Sequence, residues 1–300
     1  MSIRNGIDRK ALLAGLDAAG ADGWLLFDFR GLNPVAGRVL QIGGMGTRRL
    51  FVWIPREGEI TAVAHKIELG PLQDFPGRVV PYARWQELHE ALRAVVGGKT
   101  AAMEISPLDA VPYLDRVPFG VIDLLRSLGV TVVSSAPLVT QFAALWSPSE
   151  MAGHERAAEI LAKIARAELE RVVQEGGSGI SETAVQARVV DAIHAAGLEF
   201  DHPPIVGFGP SAADPHYEPL AGRDRTLERD QVILLDLWAG PGLGTVFADQ
   251  TWMGFSGRRA PEPVQRVWDT VRRARDAAVE RVLTAAASGT PVRGYEVDDA

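Results

Sequence analysis

The chain has 300 residues, of which 47% are hydrophobic and 23% charged, enough to bury a sizeable core and too apolar for extended disorder. A formal net charge of -7 gives no basic footprint, so neither nucleic acid nor an anionic membrane surface is an expected partner. With no cysteine in the chain, disulfides, thiolate metal sites and a cysteine nucleophile are excluded, and any metal must be held by carboxylate and imidazole. The only lysines are Lys10, Lys66, Lys99 and Lys163, which removes a Schiff-base lysine from the chain after Lys163. Asp8, Asp17 and Asp22 break the apolar stretches that a signal peptide would need. No apolar run approaches the roughly 20 residues that span a bilayer. The expected location is cytoplasmic.

In chain order, residues 10–19 pattern as a short amphipathic helix and 24–28 as a compact apolar strand. Strands at 50–54 and 60–64 flank Pro55-Arg56-Glu57-Gly58-Glu59, a hairpin signal. A helix follows at 85–96, a strand at 100–104, a helix at 121–128 and a strand at 130–134. This alternation predicts an α/β domain over residues 1–146.

A second domain, 147–300, is expected to begin at Ser147-Pro148-Ser149-Glu150, which places serine at the cap, proline at the first helical position and glutamate at the third. Its first helix should run to about Gln174, burying Ile160, Ile164 and Val172, and stop at Gly176-Gly177. Ser181 should cap a second helix with Val185, Val189 and Ile193 inward, ending at Gly197. A third helix opens after Pro261 and Pro263 and fades near Gly289. Its apolar stripe is Val264, Val267, Trp268, Val271, Ala274, Ala278 and Val282. Between the second and third helices the chain reads as strands and loops, so the second domain is α+β.

Two apolar strands in this region, 232–238 and 245–252, each carry one carboxylate, Asp236 and Asp249, around a turn at Gly240-Pro241-Gly242-Leu243-Gly244. A four-residue loop, 241–244, would pair Gly240 with Thr245 and hence Asp236 with Asp249. Opposed residues of an antiparallel pair stand about 4.5–5.5 Å apart at Cβ, so two like charges buried there need a cation. A two-metal oxygen site meets that need and can activate water for attack on a carbonyl. The spacing is equally compatible with two surface carboxylates near a turn, because another loop length would shift the register.

His216, in Asp214-Pro215-His216-Tyr217, lies upstream in a Gly/Pro/Ala-rich loop from which it could bind substrate or stabilise charge on an attacked carbonyl. A lone loop histidine is more often just solvated. His202, before Pro203-Pro204, has a weaker case and could simply cap a turn. His65, His89, His154 and His194 receive no role. Gly97-Gly98-Lys99-Thr100 resembles the end of a phosphate loop, but Arg93 stands where its first glycine belongs and the segment runs from helix into strand, the wrong order. Gly207-Phe208-Gly209 lacks the third glycine and the following helix of a dinucleotide site.

Four stretches together resemble the pita-bread (creatinase/prolidase-like, M24) metallopeptidases. They are His202-Pro203-Pro204-Ile205-Val206-Gly207-Phe208-Gly209, Asp214-Pro215-His216-Tyr217-Glu218-Pro219, Leu234-Leu235-Asp236-Leu237-Trp238 and Ala248-Asp249-Gln250-Thr251-Trp252. The similarity is strongest to bacterial Xaa-Pro dipeptidases. It implies a pita-bread catalytic domain over 147–300, preceded by a smaller creatinase-like α/β domain over 1–146. It also implies hydrolysis of the bond before proline in Xaa-Pro dipeptides by a hydroxide bridging two divalent ions (Mn, Co or Zn). Asp236 and Asp249 would be metal ligands, His216 would bind substrate and stabilise the tetrahedral intermediate, and the protein would be a homodimer. The family's remaining ligands, one histidine and two glutamates, are expected beyond Ala300, and a chain that ended there should be inactive. The alternatives are an aminopeptidase for longer Xaa-Pro peptides and a metal-free binding protein on the same scaffold. Creatinase-like chemistry without metal fits less well, because both aspartates are retained.

Overall fold

The computed structural model describes residues 6–42, 46–175 and 179–300. The expected helix stop at Gly176-Gly177 lies outside the described residues. The chain divides into two compact units, Met1–Ser147 and Pro148–Ala300.

In the first unit, α1 (Arg9–Ala19) is capped by Asp8, whose carboxylate accepts from Ala11 N, and it ends at Gly20 in the left-handed region. Strand β1 (Gly23–Phe29) then leads into α2 (Pro34–Leu40), which is capped by Asn33. Strands β2 (Arg49–Pro55) and β3 (Thr61–His65) form the expected hairpin, with Phe51 opposite Val63. They are followed by β4 (Arg78–Tyr82), α3 (Trp85–Val96), β5 (Thr100–Met103), α4 (Phe119–Ser127), β6 (Thr131–Ser134) and the single turn α5 (Ala136–Val139). The six strands make one mixed sheet in the order β4-β3-β2-β1-β5-β6.

Alternation along β1 explains the layering. Trp24 and Leu26 pack on one face with Leu12, Leu16 and Leu138. Leu25 and Phe27 pack on the other with Leu88, Leu92 and Leu125. Glu104 sits fully buried just after β5, where it accepts from Trp24 Nε1 at 2.7 Å, Asn33 Nδ2 at 2.9 Å and Ser135 Oγ at 3.0 Å. Burial pushes its carboxyl up despite these three donors.

The second unit opens with α6 (Pro148–Gln174) and α7 (Glu182–Ala195), the latter capped by Ser181 Oγ as its sequence predicts. The buried line of α6 is Ala157, Leu161, Ala165 and Val172, whereas the expected Ile160 and Ile164 only flank it. The two alanines let the helix lie close over the sheet, which turns the larger isoleucines to the margin. Strand β7 (Ile205–Phe208) begins the second sheet, ordered β7-β8-β9, with β8 (Val232–Ala239) and β9 (Ala248–Phe255). Helix α8 (Glu262–Ser288) follows, ending at Gly289 in the left-handed region, and then α9 (Gly294–Asp298).

The stripe expected to pack α8 stands open. Val267, Trp268, Val271 and Val282 are exposed, and Ala285 is the helix's one buried residue. Periodicity marks a face that could be buried, but among the described residues nothing covers it. No described helix is long and apolar enough to cross a membrane.

Candidate metal centre

The β8–β9 hairpin differs from its expected register by two residues. Asp236 pairs with Thr251 and Asp249 with Trp238, and the ladder closes at Ala239 opposite Ala248. The loop is therefore residues 240–247 rather than 241–244. Where the ladder ends, Gly240 and Glu199 exchange backbone hydrogen bonds, each at 2.9 Å, and Glu199 Oε2 accepts from Leu243 N at 3.1 Å. This strap ties the start of the loop to Glu199.

A slip of two, unlike a slip of one, keeps every side chain on its face. Asp236 and Asp249 remain on one surface of the hairpin as diagonal neighbours. That surface faces outward: Ile233, Leu235, Leu237 and Ala239 point to the core, while Asp236 is half-buried and Asp249 exposed. The expectation that both carboxylates lie buried among apolar side chains is thus corrected, since the period of two sends the apolar residues to the opposite face.

The two carboxylates still sense each other. Partial desolvation, followed by repulsion from Asp236, pushes the Asp249 carboxyl up. Thr251, directly across from Asp236, donates its hydroxyl to Asp236 Oδ1 at 2.6 Å. Trp238, across from Asp249, donates Nε1 to Asp201 Oδ1 at 2.9 Å and holds the Asp201 carboxyl below its usual range. Asp201 in turn stands 3.5 Å from His202 Nδ1, with both side chains well exposed. His202 is thereby linked through Asp201 to the tryptophan beside Asp249.

His216 is exposed, and its backbone N–H donates to Asp214 Oδ1 at 3.0 Å. It does not join the aspartates, and among the described residues no three His, Cys, Asp or Glu side chains converge as a metal site would need. The position of its loop is nonetheless well determined. Glu182, fully buried at the first turn of α7, accepts from Phe208 N (2.7 Å), Tyr217 Oη (2.6 Å) and Arg225 N (2.8 Å). Asp224 accepts from Thr183 N and from its hydroxyl, and Leu227 N donates to Ile180 O at 2.8 Å. Gly207 is required where the loop turns back, because a Cβ there would lie 3.0 Å from Ala212 N and from the Ser211 carbonyl carbon.

Glu182 and Thr251 were not singled out from the sequence. Thr251 could have been, since it stands two residues after Asp249 and so shares its face. Glu182 carried no signal, because its partners lie 26 to 43 residues away.

Hard oxygen donors on a common surface suit a divalent cation, which would also relieve the repulsion that raises Asp249. The pair alone supplies too few donors to enclose a metal.

Residues 152–300 match the family model "Metallopeptidase family M24". Over 234 residues, 76% of this chain, the sequence is 24% identical to the probable dipeptidase PepE of Mycobacterium bovis and to that of Mycobacterium tuberculosis. The chain spans 58% of the length of those curated relatives. The dipeptidase PepE structure from Mycobacterium ulcerans superposes with a TM-score of 0.66 at 23% identity, covering 90% of this chain and 69% of that one. The recombinant prolidase of Thermococcus sibiricus gives 0.60 at 22% identity, covering 90% and 70%. The X-Pro aminopeptidase of Thermotoga maritima gives 0.55 at 19% identity, covering 89% and 71%.

Proposed function

Since residues 152–300 match metallopeptidase family M24, we propose that this chain serves the hydrolysis of Xaa-Pro dipeptides at the bond before proline. On this reading the second unit is the pita-bread catalytic domain and the first a creatinase-like domain. Asp236 and Asp249 provide part of the ligand set for two divalent ions, of manganese, cobalt or zinc. One observation carries the proposal: within the matched segment, two carboxylates share one face of a hairpin and repel each other there. When bound, such ions polarise a carbonyl and make water a competent nucleophile near neutral pH.

The chain's own groups have the following roles. Thr251 fixes the rotamer of Asp236 through its hydroxyl, leaving the second carboxylate oxygen free to face a cation. Trp238 and Asp201 shape the floor beside Asp249 and orient His202 toward substrate. His216 donates to the peptide carbonyl as charge develops on it, from a loop that Glu182 holds in place.

Titration calorimetry with Mn2+ on the parent, Asp236→Asn, Asp249→Asn and the double variant tests the ligand assignment. Binding that survives unchanged in the double variant would overturn it. Proline release from Ala-Pro and Leu-Pro by the metal-loaded protein tests the substrate class. Cleavage of Xaa-Pro tripeptides but not dipeptides would move the assignment to an aminopeptidase. A metal-free peptide binder on the same scaffold is the alternative reading, and it predicts a preparation without metal that resists reconstitution. The proposal includes a cytoplasmic homodimer, which cell fractionation and sedimentation equilibrium test.

A further inference from the structure

The first unit contains a cavity of about 490 Å3 that the peptidase reading does not use. This is the size of a small-molecule site. Its inner wall is apolar and well ordered by the core: Phe27 and Tyr82 are buried, and Val121 of α4 closes it. At its mouth stand two aromatic rings that the fold leaves in water, Phe29 at 39% exposure and Trp85 at 60%.

Three guanidinium groups, Arg48, Arg49 and Arg116, also line this cavity, and no aspartate or glutamate does. Among the described residues none of the three forms an ion pair with a carboxylate. Arg48 Nη1 donates to the carbonyl and hydroxyl of Thr47, and Arg116 donates Nε to the carbonyl of Tyr113 with its guanidinium 5.9 Å from that ring. The Arg49 backbone oxygen accepts from Tyr82 Oη at 2.8 Å, and the Arg49 side chain also acts on that phenol. Glu68 accepts from Thr47 and from the Arg48 amide, and it attracts the Arg48 charge without forming an ion pair with it.

His65, also on the wall, is held by Ile67 N, which donates to Nδ1, and by Ala83 O, 3.1 Å from Nε2. The cavity thus joins a flat apolar interior to an arginine rim with excess positive charge. Guanidinium forks bind oxyanions in paired hydrogen bonds and stack on aromatic planes.

From this combination we propose that the cavity is a binding site for a small organic anion, a planar apolar body carrying one carboxylate or phosphate. The apolar body enters between Phe27, Tyr82 and Trp85, and the oxyanion stays at the mouth among Arg48, Arg49 and Arg116. The site is independent of the peptidase reading and uses only residues of the first unit.

Calorimetry with indole-3-acetate, on the parent protein, tests this. Indole-3-acetamide, tryptamine and acetate serve as comparators, and indolyl phosphate replaces the carboxylate source. Saturable binding of indole-3-acetate is expected, at least tenfold tighter than that of the neutral amide, with tryptamine and acetate showing none. Arg49→Met and Arg48→Met, which keep the apolar stem, should each weaken it about tenfold or more. Trp85→Ala, at an exposed position where folding is not at risk, should weaken acetate and amide forms alike. The proposal is overturned if no saturable binding occurs up to millimolar probe, if the amide binds as tightly as the acid, or if both arginine variants bind like the parent. Tighter binding of the phosphate would assign the head group to a phosphate ester, and tighter binding of the acid to a carboxylate.

Discussion

Glu182 should be the most sensitive single position of the second unit. Its carboxylate replaces water for two backbone N–H groups, those of Phe208 and Arg225, and for the Tyr217 hydroxyl. Glu182→Ala leaves both N–H groups without an acceptor. At about 1–3 kcal/mol for each buried unsatisfied group, the loss is about 2–6 kcal/mol, with the phenol free to turn toward solvent. Glu182→Gln keeps the shape, but its amide has one oxygen. If that oxygen stays with Arg225 and Tyr217, the amide NH2 meets Phe208 N–H, donor against donor. One bond is lost and the expected cost is about 1–3 kcal/mol. Hydrogen exchange of the Phe208 and Arg225 amides reads this locally. In Glu182→Gln, exchange at one of them should speed up about five- to hundredfold, since 1.4 kcal/mol is a factor of ten. The Ala variant should accelerate both. Unchanged exchange at both amides in the Gln variant would refute the claim that this carboxylate secures the His216 loop.

Asp236→Asn should lower the titration point of Asp249 by removing the repulsion, as followed by carboxyl carbon NMR, and an unmoved Asp249 would remove the coupling from the argument. The Glu104 carboxyl is raised in the folded state, so its contribution to first-unit stability is complete below the unfolded value of about 4.3 and is lost as pH rises through the folded value. Denaturant titrations from pH 4 to pH 8 should therefore show stability falling with pH, and Glu104→Gln should flatten that slope. Gly77→Ala would place a Cβ 2.2 Å from the backbone oxygen of Ile60, and the β3–β4 edge should lose about 1–3 kcal/mol in thermal unfolding. On α8, Val271→Ser should change stability by less than about 0.5 kcal/mol because Val271 is exposed, whereas Leu161→Ala on α6 should cost about 2–5 kcal/mol.

Much of the first unit was legible because each element carries its own period. Apolar runs gave β1 and β2, and Leu88, Leu92 and Val96 at helical spacing gave α3. The acid-bearing face of the hairpin was legible for the same reason, since alternation survives an error of two residues. Register was not legible, because apolar alternation repeats every two residues and so fits either loop length, and the contact of Gly240 with Glu199, some 40 residues away, leaves no local pattern. The buried line of α6 was misplaced because residue size favoured the isoleucines, while close packing selected Ala157 and Ala165. Arg116 joins Arg48 and Arg49 only through the sheet, so the cationic cavity has no linear signature.

The Glu199 strap separates two parts of the hairpin that a short turn would have fused. Beyond Gly240 the chain leaves the ladder that carries the acids and is held by Thr245 N to Gly242 O, by Leu243 N to Glu199 Oε2 and by His154 Nδ1 at 3.1 Å from Phe247 O. Changes in residues 241–247 can therefore alter whatever that tip touches without moving Asp236 or Asp249. The hairpin behaves as a fixed base that carries both acids and an end whose sequence can vary separately.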